Sequence, residues 1–398
     1  YYSYNNDTVV KIYDITDRTK PNLMKSYELY EPYYTSRDLL ETLTGSLTLS
    51  GRSGKNDTII ARTSDTDDTR HSMFNIVNNN TALSIDKFTI QDAYKTGNGS
   101  VINTSGTVSG SSISISGSTL TGNESTGAGG AIYNAKLPIT ITDSNFTNNT
   151  SGGNGGAIWN SGLASITDTT FTSNTSTNGN GGAIFNSATG TDSLTFTATK
   201  ANVISGSSAA NYGGAIYNTG NLNFVGGEYI TFSNNNANNG AAIANTGTLS
   251  GINGVTFSSN TASANGGAIW NSDIISGAIS NSAFSLNSAS SGGAIYNTSK
   301  LSTASSQFIS AMNTADSATY TSVDDIMSAK GASTYEELYA AVKGEAYTGG
   351  ETLTESTLLS ALGYADKGGI TITDSSFSSN TAASAGAIYN NGGTIAIT

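Results

Sequence analysis

The chain has 398 residues with 46 glycines, three prolines and no cysteine, which excludes disulfides and thiol chemistry. A net charge of -12 offers no counter-charge to phosphate, so nucleic acids and anionic membranes are not expected partners, and no apolar run is long enough to span a membrane. The 20 tyrosines and 12 phenylalanines argue against disorder. Because only 36% of the residues are hydrophobic, the fold must form its core from few apolar side chains.

Residues 1–46 differ from the rest of the chain in their tyrosine content. Eight of the 20 tyrosines and two of the three prolines fall in this segment. The pattern from Ser36 to Glu41 predicts a short helix that ends before Gly45. We interpret the segment as an N-terminal cap for the repeats that follow, and the whole chain as part of a longer precursor, because it begins at Tyr1 without a signal segment.

A six-residue box organises most of the remaining chain. Its copies occupy residues 129–134, 155–160, 181–186, 213–218, 240–245, 266–271, 292–297 and 385–390, with GGAIYN as the commonest form. The first seven copies are 26, 26, 32, 27, 26 and 26 residues apart. A second motif, Phe-x-x-Asn, precedes six of the boxes and begins at Phe146, Phe171, Phe232, Phe257, Phe284 and Phe377. Glycine, asparagine, threonine and isoleucine fill the period, which predicts β coils and excludes helical repeats.

Each period is expected to hold three short strands and three turns, which form one coil of a right-handed parallel β-helix. Runs such as residues 139–142 and 370–373 alternate with a period of two, as in a strand with one buried face. Stacked coils would share one continuous core and extend one another's hydrogen-bond ladders. The sequence therefore predicts an all-β solenoid of about 11 coils, over residues 47–308 and 370–398.

The positions within the box have distinct expected roles. The glycine pair suits a backbone turn with positive φ or a close approach of two chains. Isoleucine never varies at the fourth position, which indicates an inward side chain stacked on its copies. Asparagine at the sixth position has the same parity, so we expect it to face inward at a bend and to form an asparagine ladder. The fifth position accepts Tyr, Trp, Phe or Ala, a tolerance that indicates an outward side chain.

The alternation of GGAI and Phe-x-x-Asn boxes resembles the polymorphic membrane proteins of chlamydiae, related autotransporter passengers and adhesin-like surface proteins of gut methanogens. The resemblance covers residues 119–308 and 370–398, and residues 99–103 and 120–123 are similar to degenerate copies in a lead-in from Leu47. It implies a secreted, right-handed parallel β-helix of the pectin-lyase-like class that is used in attachment.

The last two boxes are 93 residues apart, which indicates an insertion at residues 309–369. Its sequence predicts three helices, at 322–330, 333–343 and 354–362, and it holds nine acids against three lysines. Either this insertion is a recognition element, because solenoid insertions often mark the binding face, or it is a decoration that shields the shaft. Residues 370–398 return to the β-helix and are expected to end in an incomplete coil with an open strand edge.

The sequence offers few groups for catalysis. His71 is the sole histidine and lies outside the boxed coils, so neither a multi-histidine metal site nor a Ser-His-Asp site is expected there. Asp143 and Asp168 each lie three residues before a motif phenylalanine, and stacking would place them roughly 5 Å apart, near the spacing of a retaining glycosidase pair. Other coils hold Asp374, Tyr229, Gly254 and Asn281 at this position, and a turn that prefers aspartate, asparagine or glycine for backbone reasons is the favoured interpretation. No catalytic residue, cofactor or metal is therefore expected.

The fifth box position supplies a candidate ligand-binding column. If these rings point outward, they form a flat stripe with about 4.8 Å between coils, suited to sugar rings or to an apolar protein patch. The alternative is that the rings only pack on one another and stabilise the shaft. The candidate residues are Tyr133, Trp159, Phe185, Tyr217, Trp270, Tyr296 and Tyr389, with Ala244 interrupting the series.

The expected function is that of a secreted, non-enzymatic cell-surface adhesin. It would attach to a glycan or protein on a host or neighbouring cell by an extended surface. A second possibility is a structural subunit of an extracellular filament or surface layer, which associates head to tail through open coil ends. A carbohydrate-active β-helix enzyme is the third.

Overall fold

The chain winds into a parallel β-helix, in which each strand pairs with the equivalent strand of the next coil. Within one coil the chain passes through four short strands. The equivalent strands of successive coils form four parallel sheets, which we number 1 to 4 in the order in which the chain enters them. This is the all-β, right-handed parallel β-helix that the repeats predict. The computed structural model describes residues 9–14, 22–28, 46–50, 59–61, 72–104, 109–200, 202–273, 275–298, 312–313, 319–320, 323–332, 335–342, 346–347, 351–352, 370–391 and 395–398.

Each sheet is built from the equivalent strands of successive coils. Sheet 1 contains Leu47–Ser50, Ala82–Asp86, Ser112–Ser116, Ile139–Thr142, Ala164–Thr167, Leu194–Thr197, Asn221–Val225 and Thr248–Leu249, and a four-stranded sheet of Ile252–Asn253, Ile279–Ser280, Ile370–Thr373 and Ile395–Ile397 precedes sheet 2 in the later coils. Sheet 2 contains Ile59–Ala61, Thr89–Gln91, Thr119–Thr121, Asn145–Thr147, Thr170–Thr172, Asn202–Ser205, Ile230–Ser233, Thr256–Ser258, Ala283–Ser285 and Ser376–Ser378. Sheet 3 contains Tyr94–Lys95, Glu124–Ser125, Thr150–Ser151, Thr175–Ser176, Ser208–Ala209, Asn236–Asn239, Thr261–Asn265, Ser288–Ser291 and Thr381–Ser384. Sheet 4 contains Phe74–Ile76, Ile102–Thr104, Ile132–Asn134, Ile158–Asn160, Ile184–Asn186, Ile216–Asn218, Ile243–Asn245, Ile269–Asn271, Ile295–Thr298 and Ile388–Asn391.

The prediction of three strands per coil is wrong, because sheet 3 adds a fourth. Its strands, such as Thr150–Ser151, are short and made largely of small polar residues without an apolar alternation. Because they lack the apolar alternation of the other sheets, no local pattern marks them as strands. The longest sheets hold ten strands each within the described residues, against the 11 coils expected, and Ile395–Ile397 begins a further coil.

The core consists of like side chains stacked from coil to coil. The motif phenylalanines of sheet 2 form one such column, and the rings of Phe257 and Phe284 lie 4.7 Å apart at an interplanar angle of 8°. Phe284 stacks in the same way on Phe377, whose coil follows the insertion, with 4.7 Å between ring centroids. The coils before and after the insertion are therefore direct neighbours in the shaft.

Two further parts of the chain lie outside the repeated coils. Val9–Asp14 and Asn22–Glu28 form an antiparallel hairpin, and its first strand lies against Leu47–Ser50. The helix predicted at residues 36–41 lies outside the described residues.

In the insertion, helices α1 (Val323–Lys330) and α2 (Tyr335–Val342) correspond to two of the three predicted helices, and the third prediction, at 354–362, lies outside the described residues. The antiparallel pair of Ala346–Tyr347 and Glu351–Thr352 follows them.

Candidate binding surface

The two glycines of the box have different tasks. The first has a left-handed backbone, with φ of +67° at Gly129 and +72° at Gly155, where other residues are strained. The second faces the next coil, and a Cβ on Gly130 would lie 2.0 Å from the carbonyl oxygen of Gly156. The first glycine is therefore explained by its positive φ, and the second by the close approach of the next coil.

Isoleucine and asparagine of the box face inward, as predicted. Ile132 is fully buried, and two positions further on the Asn134 amide donates to the Asn160 side-chain oxygen at 2.8 Å. Asn134 also accepts a hydrogen bond from the Leu137 N–H and donates to the Leu137 carbonyl, which closes the bend after the strand. The same amide-to-amide bond continues through Asn186, Asn218, Asn245, Asn271, Asn297 and Asn390. These contacts confirm the asparagine ladder.

The fifth box position lies between these two inward residues and therefore points out of sheet 4. The rings of Tyr133 and Trp159 stack with centroids 4.3 Å apart, and those of Trp159 and Phe185 with centroids 6.0 Å apart. Tyr296 stacks on Tyr389 at 5.0 Å, so the column continues past the insertion. Most of these side chains are half-buried, whereas Phe185 is only 9% exposed. Burial raises the pKa of the Tyr133 hydroxyl, which remains a hydrogen-bond donor at neutral pH.

An additional ring, Tyr212, fills the gap that Ala244 leaves in the column. Its centroid lies 5.7 Å from that of Tyr217 and 5.0 Å from that of Trp270, which are two coils apart. Ala244 is consequently fully buried. We call this set of rings the aromatic stripe, which consists of Tyr133, Trp159, Phe185, Tyr217, Tyr212, Trp270, Tyr296 and Tyr389.

Tyr212 was not among the predicted residues because it lies outside the box. It occupies the position immediately before the glycine pair, where the other seven boxes have alanine, asparagine or serine. The signal in the sequence is therefore a pair of exceptions, a large residue at Tyr212 and a small one at Ala244 in the next box. Stacking brings the two exceptions together.

The candidate carboxylate pair belongs to a turn held by hydrogen bonds. Asp143 and Asp168 both have φ of +49°, the left-handed conformation that the residue types at this position indicate. The Lys200 ammonium contacts the Asp143 carboxylate, and this hydrogen bond raises the pKa of Lys200. Burial acts to raise the pKa of Asp168, but hydrogen bonds from Thr199 and Lys200 outweigh it and lower that pKa. The Asp168 oxygens accept hydrogen bonds from the Thr199 N–H and hydroxyl and from the Lys200 N–H, so this carboxylate takes part in the hydrogen bonding of the turn. The described residues contain no group of three or more His, Cys, Asp or Glu side chains that could hold a metal.

The stacked coils define the chain as a solenoid repeat protein of the β-helix class. The model of the Chlamydia polymorphic membrane protein repeat matches residues 117–135, 143–161, 168–187 and 254–272. Each match runs from the left-handed turn before sheet 2 to just past the box asparagine. The chain therefore carries four repeats of this type, which confirms the predicted resemblance, and these repeats and the β-helix fit a surface-exposed, passenger-type protein. No curated protein and no solved structure gives a significant match. Where the structure describes helices, none has the length and apolar character to cross a membrane.

Proposed function

We propose that the chain is a cell-surface adhesin that attaches to a glycan or protein through the aromatic stripe. The observation that carries the proposal is the column of mostly half-buried rings along sheet 4, in which Tyr212 bridges Tyr217 and Trp270. Tyr212 maintains ring contact across the coil in which Ala244 interrupts the series. Because neighbouring rings such as those of Tyr133 and Trp159 stack face to face, their exposed edges offer an apolar strip to a sugar or to an apolar protein patch.

The charge distribution also supports binding by uncharged contacts. Between residues 129 and 307 the only basic residues are Lys136, Lys200 and Lys300. Lys136 pairs with Asp192 at 3.6 Å, and Lys200 is paired with Asp143. Long-range attraction of an acidic partner to this part of the shaft is therefore weak, and short-range packing must supply the affinity.

Replacing Trp159 and Trp270 together with alanine tests the proposal. Beads coated with the chain would be presented to epithelial cells and immobilised mucin, and we expect the double variant to attach at least about tenfold less, because stacked rings dominate such contacts. Thr231→Ala with Thr256→Ala on sheet 2 is the matched control and should attach normally. Circular dichroism and thermal melts of all chains report on the shaft. Full attachment by a folded tryptophan variant would refute the stripe as the contact surface.

The helical insertion is the second place where recognition can reside. Ile326, Leu338 and Val342 of α1 and α2 are fully buried, and they are not part of the shaft core formed by the described residues. A chain without residues 309–369 should keep its β-helix, because the flanking coils already stack directly. Loss of attachment in that folded variant, with the stripe intact, would move the binding function to the insertion.

A filament subunit is the alternative function, and it predicts a different physical behaviour. Such a chain would sediment as large assemblies whose size grows with concentration, whereas an adhesin shaft would sediment as a single small species. Sedimentation velocity over a hundredfold range of concentration separates the two. Assembly that persists in the double tryptophan variant would favour the filament.

A further inference from the structure

A polar groove crosses sheet 3, the sheet that precedes sheet 4 in each coil. Its volume is about 440 Å³, which is within the roughly 300–1,000 Å³ of small-molecule sites. Hydroxyl and amide side chains from several coils line it, among them Thr177, Ser208, Asn236, Asn238 and Ser263. None of the described residues that line the groove is charged.

The groove has two causes in the sequence. The first is the connection from sheet 3 to the box, which becomes shorter over three coils. The first box glycine follows Thr175 by six positions, Ser208 by five and Asn236 by four. The strand pairing is irregular here: Ser208 pairs with Asn236, and the register of Asn236–Asn239 against the following coil then shifts. The shortest connection therefore lies between longer ones, which leaves a recess in the surface.

The second cause is the small side chain of Ala210. It is exposed and lines the groove together with Thr177 of the preceding coil and Asn238 of the following coil. The longer polar side chains on either side form the walls, and the methyl group of Ala210 forms part of the floor. The Ser263 hydroxyl donates to the Asn238 side-chain oxygen at 2.8 Å, which fixes one wall. The exposed side chain of Asn236 makes no hydrogen bond within the described chain and is available to a ligand.

We propose that this groove binds a neutral oligosaccharide, and that Tyr212 extends the site onto the aromatic stripe. Tyr212, whose ring bridges Tyr217 and Trp270, follows Ala210 of the groove by two residues along the chain. Uncharged hydroxyls and amides match the hydroxyl groups of a sugar, and the adjacent rings match its apolar face. An acidic sugar would lose the hydration of its carboxylate here without meeting a cation, which is costly.

This inference deepens the proposed adhesin function by naming the chemical class of its target. The probes are hexasaccharides of glucose in two linkages, of N-acetylglucosamine and of galacturonate, each titrated into the full chain by calorimetry. At least one neutral hexasaccharide should bind, and the acidic one should not. Ala210→Tyr, which fills the recess while keeping every hydrogen-bonding group, should weaken binding at least tenfold. Asn236→Ala removes an exposed amide that supports nothing else, and should weaken it severalfold.

The matched control is Ala383→Tyr, an exposed alanine of sheet 3 several coils away. It should bind as the unaltered chain does, and melts of both tyrosine variants check that the shaft is folded. The inference is overturned if no neutral hexasaccharide binds, if galacturonate binds best, or if a folded Ala210→Tyr chain binds normally. The adhesin proposal is judged separately by cell attachment of the tryptophan variant, so attachment through the stripe with an inactive groove would refute only the inference.

Discussion

At the first box position the left-handed turn contains glycine in seven boxes and alanine in the eighth. Ala385 has φ of +53°, whereas Gly292 in the preceding coil has φ of +63°. Because a Cβ is strained in this conformation, Ala385→Gly should stabilise the folded chain by about 1 kcal/mol. Gly292→Ala should destabilise it by about 1–3 kcal/mol, since its Cβ would also lie 2.2 Å from the Ile295 carbonyl oxygen. Urea unfolding followed by circular dichroism measures both changes.

The two substitutions serve as controls for each other, because they exchange the same pair of residues in neighbouring coils. Opposite signs are the expected outcome. Equal destabilisation by both would mean that the turn conformation does not decide which residue is tolerated, and that the alanine methyl group makes a contact worth more than its strain.

A pH effect is expected at Asp168, whose carboxylate accepts from the Thr199 N–H at 2.8 Å and from the Thr199 hydroxyl at 2.7 Å. Burial opposes these bonds, but the net result is a pKa below the ordinary value of 3.8. The folded pKa is therefore lower than the unfolded one, so the turn is stabilised above the unfolded pKa and loses this contribution as the pH falls through the folded pKa. Thr199→Val removes one bond and should raise the pKa of Asp168, as measured by carboxyl carbon NMR. An unchanged titration would show that the backbone bonds alone set it.

At the scale of the element, the asparagine ladder should be strongest in its middle. The Asn218 amide donates to Asn245 at 2.7 Å and to the Gly220 carbonyl at 3.0 Å, and its oxygen accepts from Asn186 at 2.8 Å. Asn218→Ala leaves these buried partners unsatisfied and should cost on the order of 3 kcal/mol. Asn390 is exposed at the end of the ladder, so Asn390→Ala should cost less than about 1 kcal/mol. Urea unfolding of both variants tests the gradient, and equal losses would contradict it.

The elements that could be predicted from the sequence are those whose side chains repeat. The invariant isoleucine and asparagine revealed which face of sheet 4 is buried, because eight copies in phase leave one arrangement that buries them all. Sheet 3 could not be predicted, because its short strands carry no apolar alternation that would mark them in the sequence. The contact between Lys200 and Asp143 also lacked a signal, because it joins residues 57 positions apart through a coil of irregular length.

In the candidate site, too, the residues that could be predicted are those at a repeated position. Seven rings of the stripe were predicted from a repeated position, whereas Tyr212 and the groove arise where the repeat is broken. Ala244 is a single departure from its box, whereas Ala210 and the short connection after Asn236 have counterparts at Ala383 and after Ser288. Only the stacking of coils brings these features together along the shaft. In a repeat protein the regular residues specify the scaffold, and the exceptions specify what is particular to one part of its surface.

At the scale of the whole molecule, the coil is the unit of construction. Each coil contacts the coils before and after it, and the pairing of residues is in register through most of the shaft. Stability should therefore be close to a sum of coil and interface terms, as in other solenoids. The direct stacking of Tyr296 on Tyr389 shows that the chain can leave the shaft at one coil and resume it at the next without a change in packing.

Removing a whole coil should consequently leave a folded, shorter shaft. Deletion of residues 240–265 joins Asn239 to Gly266, which has the same place in its box as Gly240, so every column keeps its register. The product should retain its β-sheet circular dichroism, and small-angle scattering should show a shaft about 5 Å shorter. Deletion of residues 240–252 is the control, because half a period places outward residues of one coil over inward residues of the next and exposes the core. If both deletions unfold to the same extent, register between neighbouring coils is not what specifies this fold.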